Sequence, residues 1–180
     1  MPEVIIKGKR FVPYLSQTEI EAKIGELAAR LSSDYAGDCP VLLVVLNGAL
    51  PFAAALMQRM SIPLEMSCIK YNSYEGTKSS GKIREAIGLP VERLKDRRVI
   101  VVEDIVDTGI TMGYLYNQLK EIGVKDVEVA TLTLKKGKCK AALPLRYVGF
   151  EIDDAFIIGY GMDYDELGRQ YPEIYQYTEE

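Results

Sequence analysis

Two nearly unbroken apolar runs most constrain what this chain can fold into: PVLLVVLNG (40–48) and RRVIVVED (97–104). A strand with one wet face alternates apolar and polar residues. A run that does not alternate must be covered on both faces, which is the condition of a central strand in a parallel sheet. Helical patterns flank the runs. TEIEAKIGELAARL (18–31) puts Ile20, Ile24, Leu27 and Leu31 on one face, and Thr18 with Glu21 fits a capping box. Pro51 suits the first turn of a helix carrying FAAALMQRM. MGYLYNQLKEIG (112–123) lines up Met112, Leu115, Leu119 and Ile122 and stops at Gly123. LEMSCIKYN (64–72), VEVATLTLKK (127–136) and AFIIGYG (155–161) complete the strand set, and SYEGTKSSGKI (73–83) is an exposed loop. Strands alternating with helices predict an α/β fold, a mainly parallel twisted sheet flanked by helices. At 180 residues the chain suits a single domain, 1–180. Its less regular parts, about 1–15 and about 137–180, are expected to form a small hood over the sheet.

What is missing narrows the chemistry. The chain has no histidine, which removes Ser-His-Asp and Cys-His catalysis and imidazole metal ligands. Acid–base work falls to carboxylates, lysines or tyrosines, and any metal site must be rich in oxygen, favouring a hard cation such as Mg2+. Cys39, Cys68 and Cys139 are odd in number and widely spaced, as free thiols in a reducing cytosol would be. With no apolar run of membrane-spanning length and no signal-peptide pattern, the expected location is cytoplasmic, with no membrane partner. The net charge of −4 leaves no basic stripe, so no nucleic-acid partner is expected.

VVEDIVDTGIT (101–111) drives a buried strand into Glu103 and Asp104, then Asp107, then Thr108-Gly109-Ile110-Thr111. In an open parallel sheet, ligands sit at the carboxyl ends of the strands. Small residues ahead of a helix present free backbone N–H groups and the positive end of the helix dipole, which together make a phosphate cradle. Three acids there would repel a bare anion. The conflict resolves if they face sugar hydroxyls, a metal ion or a mobile proton. Asp107 alone would be an ordinary helix cap; the ordered set is more than that.

This ordered set resembles the phosphoribosyl-pyrophosphate (PRPP) signature of the type I phosphoribosyltransferases. The resemblance runs through VVLNGALPFAA, KYNSYEGTKSSGKI, TLTLKKGK and YVGFEIDDAFIIGYGMDYDELGR, and is nearest to the family's hypoxanthine-guanine branch. It implies a hood subdomain and transfer of phosphoribose from PRPP, with Mg2+, to N9 of a 6-oxopurine. It also implies roles. Glu103 and Asp104 would hold the ribose hydroxyls, directly or through Mg2+. Asp107 would be the general acid/base at the purine N7, and Asp107, Thr108, Gly109, Ile110 and Thr111 would bind the 5′-phosphate. Leu46, Asn47 and Gly48, with a cis peptide between the first two, would form the pyrophosphate loop together with Arg169. Ser73 and Tyr74 would belong to a mobile lid. Lys135, or else Lys136, would donate to the 6-oxo oxygen. Phe156 would stack on the purine, the Ile157 backbone would meet its edge, and Asp163 would ligate a second magnesium. Family members often carry Lys or Arg where Asn47 stands, and some carry Lys where Asn72 stands.

By residue type alone, Phe156 would be core, Asp163 a turn acid, and Lys135 and Arg169 solvated charges. Other readings also stand: an acceptor that is xanthine, adenine or a pyrimidine, or a nucleotide- or RNA-binding regulator on the same fold. A receiver-like phosphoacceptor domain fits less well, because the Thr-Gly-x-Thr cradle follows the acids directly. A homodimer or homotetramer is expected from the resemblance alone.

Overall fold

Each unbroken run is covered on both faces. The computed structural model describes residues 2–72 and 84–179. A six-stranded sheet contains β3 (Val41–Leu46), β4 (Glu65–Asn72), β5 (Arg84–Ile87), β6 (Arg98–Val106), β7 (Asp126–Lys135) and β8 (Tyr147–Ile152), in the order β5-β4-β3-β6-β7-β8. All neighbours run parallel except β5, which pairs antiparallel with β4. Successive side chains point to opposite faces. Leu42, Val44, Ile100, Val102, Ala130 and Leu132 therefore pack with α1 (Gln17–Asp34) and α2 (Leu50–Arg59). Val41, Leu43, Val99, Val101, Val127 and Val129 pack on the other face with α4 (Ile110–Ile122) and the short α3 (Val91–Leu94). Each such side chain removed from water contributes about 1.5–3 kcal/mol.

The helix ends follow local chemistry, with two shifts from expectation. The capping box of α1 is formed by Ser16 and Glu19 rather than Thr18 and Glu21: Ser16 Oγ accepts from Glu19 N at 3.3 Å, and Glu19 Oε2 accepts from Ser16 N at 2.9 Å. Both pairs have the same spacing. The earlier one follows directly on the preceding strand and leaves no N–H waiting between strand and helix. α4 starts at Ile110, two residues before its first buried side chain, because Gly109 caps it at φ +79°. The first turn is exposed, so apolar periodicity is silent there. Gly123 closes α4 in the left-handed conformation, as its position predicts.

A second sheet is antiparallel, with β1 (Val4–Ile6), β2 (Lys9–Leu15), β9 (Ile157–Ile158) and β10 (Ile174–Thr178) in the order β1-β2-β10-β9. It has its own small core of Ile6, Phe11, Ile158 and Tyr175. Two boundaries move. Residues 147–152, expected in the hood, join the large sheet as β8, where Thr133 pairs with Phe150. The strand expected over 155–161 for the parallel sheet shrinks to 157–158 and belongs to the small antiparallel one. Among the described residues, no helix is long and apolar enough to cross a membrane.

Candidate active site

The carboxyl ends of β3, β6 and β7 converge beneath the small sheet. After β3 the Leu46–Asn47 peptide is cis, and Gly48 lies so close to β6 that a Cβ would stand 1.7 Å from Asp104 Oδ2. Gly161, at φ +99°, closes on the same loop: a Cβ there would be 2.0 Å from the Gly48 carbonyl oxygen. Arg169 ties in the third segment by donating to the Gly161 carbonyl at 2.9 Å. Residues 46–48, 104, 161 and 169 are thus one interlocked unit, and glycine is required at 48 and 161.

From β7, buried Thr133 donates to the Asp104 carbonyl of β6 at 2.9 Å, and buried Thr131 donates to the Thr133 carbonyl at 2.8 Å. Ile105 N donates to Asp104 Oδ1 at 2.8 Å. Burial and the neighbouring Asp104 charge push the Glu103 carboxyl well above the usual carboxylate range. Burial raises Asp104 too, against hydrogen bonds from Glu103 and from backbone N–H groups and, least, the charge of Arg169. Two adjacent oxygen-donor side chains that lack a counter-charge fit a hard divalent cation, which would complete its shell with water and substrate oxygens. Asp163, which lines the same small cavity as Asp104, is held by Arg169 at 2.8 Å and by Glu166 N at 2.8 Å. Among the described residues, no three carboxylate or thiol groups are arranged so that they could hold one metal ion.

The loop after β6 leaves the start of α4 free. No side chain caps that helix; Thr108 Oγ1 accepts from Ile110 N only at 3.4 Å, and Ile110 is 70% exposed. Its first amides are open to an anion. Gly109 is needed twice over: for its positive φ, and because a Cβ would meet Cys139 Sγ at 2.7 Å.

A cavity of about 180 Å³ lies between Asp107, Lys135, Phe156, Ile157, Met162 and Asp163. Lys135 is nearly buried and holds its ammonium between Asp107 Oδ2 at 3.1 Å and Asp154 Oδ1 at 3.0 Å. Lys136 turns outward to Glu151 at 2.9 Å. Asp107 Oδ1 is buried without a hydrogen bond, although the Lys138 ammonium stands 3.1 Å away. Phe156 is not core: it is 48% exposed, braced edge-on by Tyr164 at 5.7 Å, with Phe11 at 6.3 Å. Phe156 and Asp163 also wall a second cavity of about 750 Å³, shared with Leu46, Asn47, Lys70 and Arg169.

The structure therefore gathers Asp107, Lys135, Phe156, Ile157 and Asp163 around one cavity. Leu46, Asn47 and Arg169 line the adjoining one, with Gly48 packed on Asp104 beside them, and residues 108–111 form the helix-start loop. Ser73 and Tyr74 lie outside the described residues. Two neighbours were not singled out from the sequence. Asp154 accepts from both Lys135 and Lys138, the latter at 2.9 Å, and these hydrogen bonds hold its carboxyl below the usual range. Lys138, in turn, is raised by Asp154 and Asp107. Both are ordinary charged residues in sequence, and nothing in KKGK or IDD announces that they meet.

A mainly parallel sheet with paired acids at a strand end, an uncapped helix start behind them and a cavity beneath the small sheet have the form of a type I phosphoribosyltransferase. The chain belongs to that family: the phosphoribosyl transferase domain model matches residues 14–165. It is an enzyme of that family, similar over most of its length to others. The hypoxanthine-guanine phosphoribosyltransferase of Bacillus subtilis (strain 168) is 38% identical over 161 residues, 89% of each chain. The hypoxanthine-guanine-xanthine phosphoribosyltransferase of Tritrichomonas foetus is 39% identical over 160 residues, 88% of this chain and 87% of that one. In Listeria innocua a matching segment, 37% identical, makes up 25% of a bifunctional protein TilS/HprT. Among solved structures, a hypoxanthine phosphoribosyltransferase from Staphylococcus aureus superposes with a TM-score of 0.85 at 32% identity, covering 92% of this chain and 90% of that chain.

Proposed function

We propose that the protein is a purine-salvage enzyme that moves the 5-phosphoribosyl group from PRPP to N9 of hypoxanthine or guanine, releasing pyrophosphate. The observation that carries this is Lys135: a nearly buried ammonium beside Asp107, in the wall of a small cavity that also holds Phe156. A fixed donor there suits a 6-oxo acceptor. The amino group of adenine would set a donor against that donor, which forms no hydrogen bond. The names of the curated relatives point to the same bases, one of them with xanthine in addition.

In this reading Phe156 stacks on the purine and the Ile157 backbone meets its edge. The buried Asp107 Oδ1, lacking a hydrogen bond, takes the N7 proton as N9 bonds to the sugar. The open amides of 108–111 bind the 5′-phosphate. Glu103 and Asp104 hold the ribose hydroxyls and one Mg2+, Asp163 a second, while the 46–48 loop and Arg169 bind pyrophosphate. When bound, magnesium neutralises and orients the leaving pyrophosphate. The protein supplies position and a preformed field rather than a covalent intermediate.

A PRPP-dependent assay with hypoxanthine, guanine, xanthine and adenine side by side tests this. Turnover of the 6-oxopurines, without adenine, is expected. No turnover of any base with PRPP and Mg2+ present would overturn it. Assembly as a homodimer or homotetramer is part of the same proposal, and light scattering checks it.

A further inference from the structure

The larger cavity contains an electrostatic problem. Its wall carries three carboxylates, Asp163, Asp165 and Glu166, against two cations, Lys70 and Arg169. Arg169 is already committed: its guanidinium bonds Asp163 at 2.8 Å, Glu166 at 3.0 Å and the Gly161 carbonyl at 2.9 Å. An anion seated on the 46–48 loop therefore gets little net charge from it. Lys70 differs. It stands on β4 in register with Leu46, so its side chain rises beside the loop. Its ammonium donates to the Asn47 side-chain oxygen at 3.3 Å, and among the described residues it has no carboxylate partner. A neutral amide satisfies one of its three donors and cancels none of its charge.

We infer that Lys70 is the cation that gives the pyrophosphate site its net positive charge, beside an Arg169 already neutralised by its carboxylate partners, with Asn47 as the swivel that parks its ammonium at the loop until the anion arrives. The inference rests on the phosphoribosyl-transfer reading and adds to it the residue that charges an otherwise uncharged loop. A charged hydrogen bond of this kind changes affinity by about tenfold or more.

The test uses three variants, with steady-state kinetics and calorimetry using magnesium pyrophosphate. Lys70→Met should raise KM for PRPP and weaken magnesium pyrophosphate binding by about tenfold or more, leaving KM for the purine unchanged. Lys70→Arg should retain wild-type affinity. Adding Asn47→Lys to Lys70→Met should restore most of the lost affinity, because the charge returns to within a side chain's reach of the same loop. A wild-type affinity in Lys70→Met overturns the inference while leaving the transferase reading intact. Failure of the relocated lysine to restore binding, with Lys70→Arg also impaired, overturns it as well, since a structural role alone would give that pattern. A wild-type protein that neither binds magnesium pyrophosphate nor uses PRPP overturns both.

Discussion

Replacing Gly48 by alanine tests the interlocked unit directly. The added Cβ would stand 1.7 Å from Asp104 Oδ2 and 2.6 Å from its Cγ. An ordinary carbon–oxygen contact is about 3.3 Å, so roughly 1.6 Å must be found. The obstruction is one carboxylate rather than backbone, and a carboxylate can turn about its side-chain bonds. Gly48→Ala should therefore fold and melt close to wild type. What moves is Asp104, out of the position proposed for holding ribose and metal, or the loop proposed for pyrophosphate. Misplacement of a substrate-positioning group by about 1 Å costs on the order of a hundredfold. The expected result in a continuous PRPP-dependent assay is a fall of at least about a hundredfold in kcat/KM for PRPP, with little change in KM for the base. Gly25→Ala, in α1, is the control: a Cβ there meets nothing within 4 Å, so activity should be unchanged. Gly48→Ala with wild-type kcat/KM would refute the interlock. So would loss of activity that merely tracks loss of folded protein.

Lys135→Met should lower kcat/KM for hypoxanthine by about ten- to a hundredfold, with KM for PRPP unchanged, while Lys136→Met should be silent. The reverse pattern would put the base contact on the wrong lysine. Asp107→Ala should cut kcat by about a hundredfold or more with PRPP binding retained, and undiminished turnover would remove it as the proton-handling group. The Glu103–Asp104 pair predicts a pH dependence of stability. Their raised carboxyls mean that the folded, metal-free state binds more protons than the unfolded chain at pH values above the usual carboxylate pKa, about 4.3. The pair's contribution is therefore best below that window and is lost as pH rises through it. Glu103→Gln should melt above wild type near neutral pH in the absence of metal, the gap closing toward about pH 4.5; a gap that does not change with pH would refute this.

The parallel sheet was legible because β3 and the first half of β6 are apolar at successive positions, as burial on both faces requires. The small sheet was not. β1 has three residues and β9 two, too short for alternation to register. Pro13 argues against a strand interior, yet it is tolerated in β2 because β1 pairs only as far as Phe11 and a register irregularity in β10 lies opposite. β8 was hidden by its half-exposed edge position. Its Gly149 has backbone where a Cβ would come within 2.5 Å of the Leu132 carbonyl oxygen, a contact no sequence pattern encodes. In the site, Glu103, Asp104 and the 108–111 loop were legible as an ordered cluster in one segment. Asp154, Lys138 and Lys70 were not, since each acts on a partner at least 16 residues away and a single chain of letters carries no distances.

The small sheet also sets a timetable. β10 (174–178) is the strand that joins β2 (9–15) to β9, and β9 carries Ile157 beside Phe156. A nascent chain that has emerged only as far as residue 170 can already zip up the large sheet, whose last strand ends at 152. It cannot yet fix the wall around Phe156 and Ile157. The open helix start after β6 can thus form before that wall does, so the two parts of the site are completed in chain order.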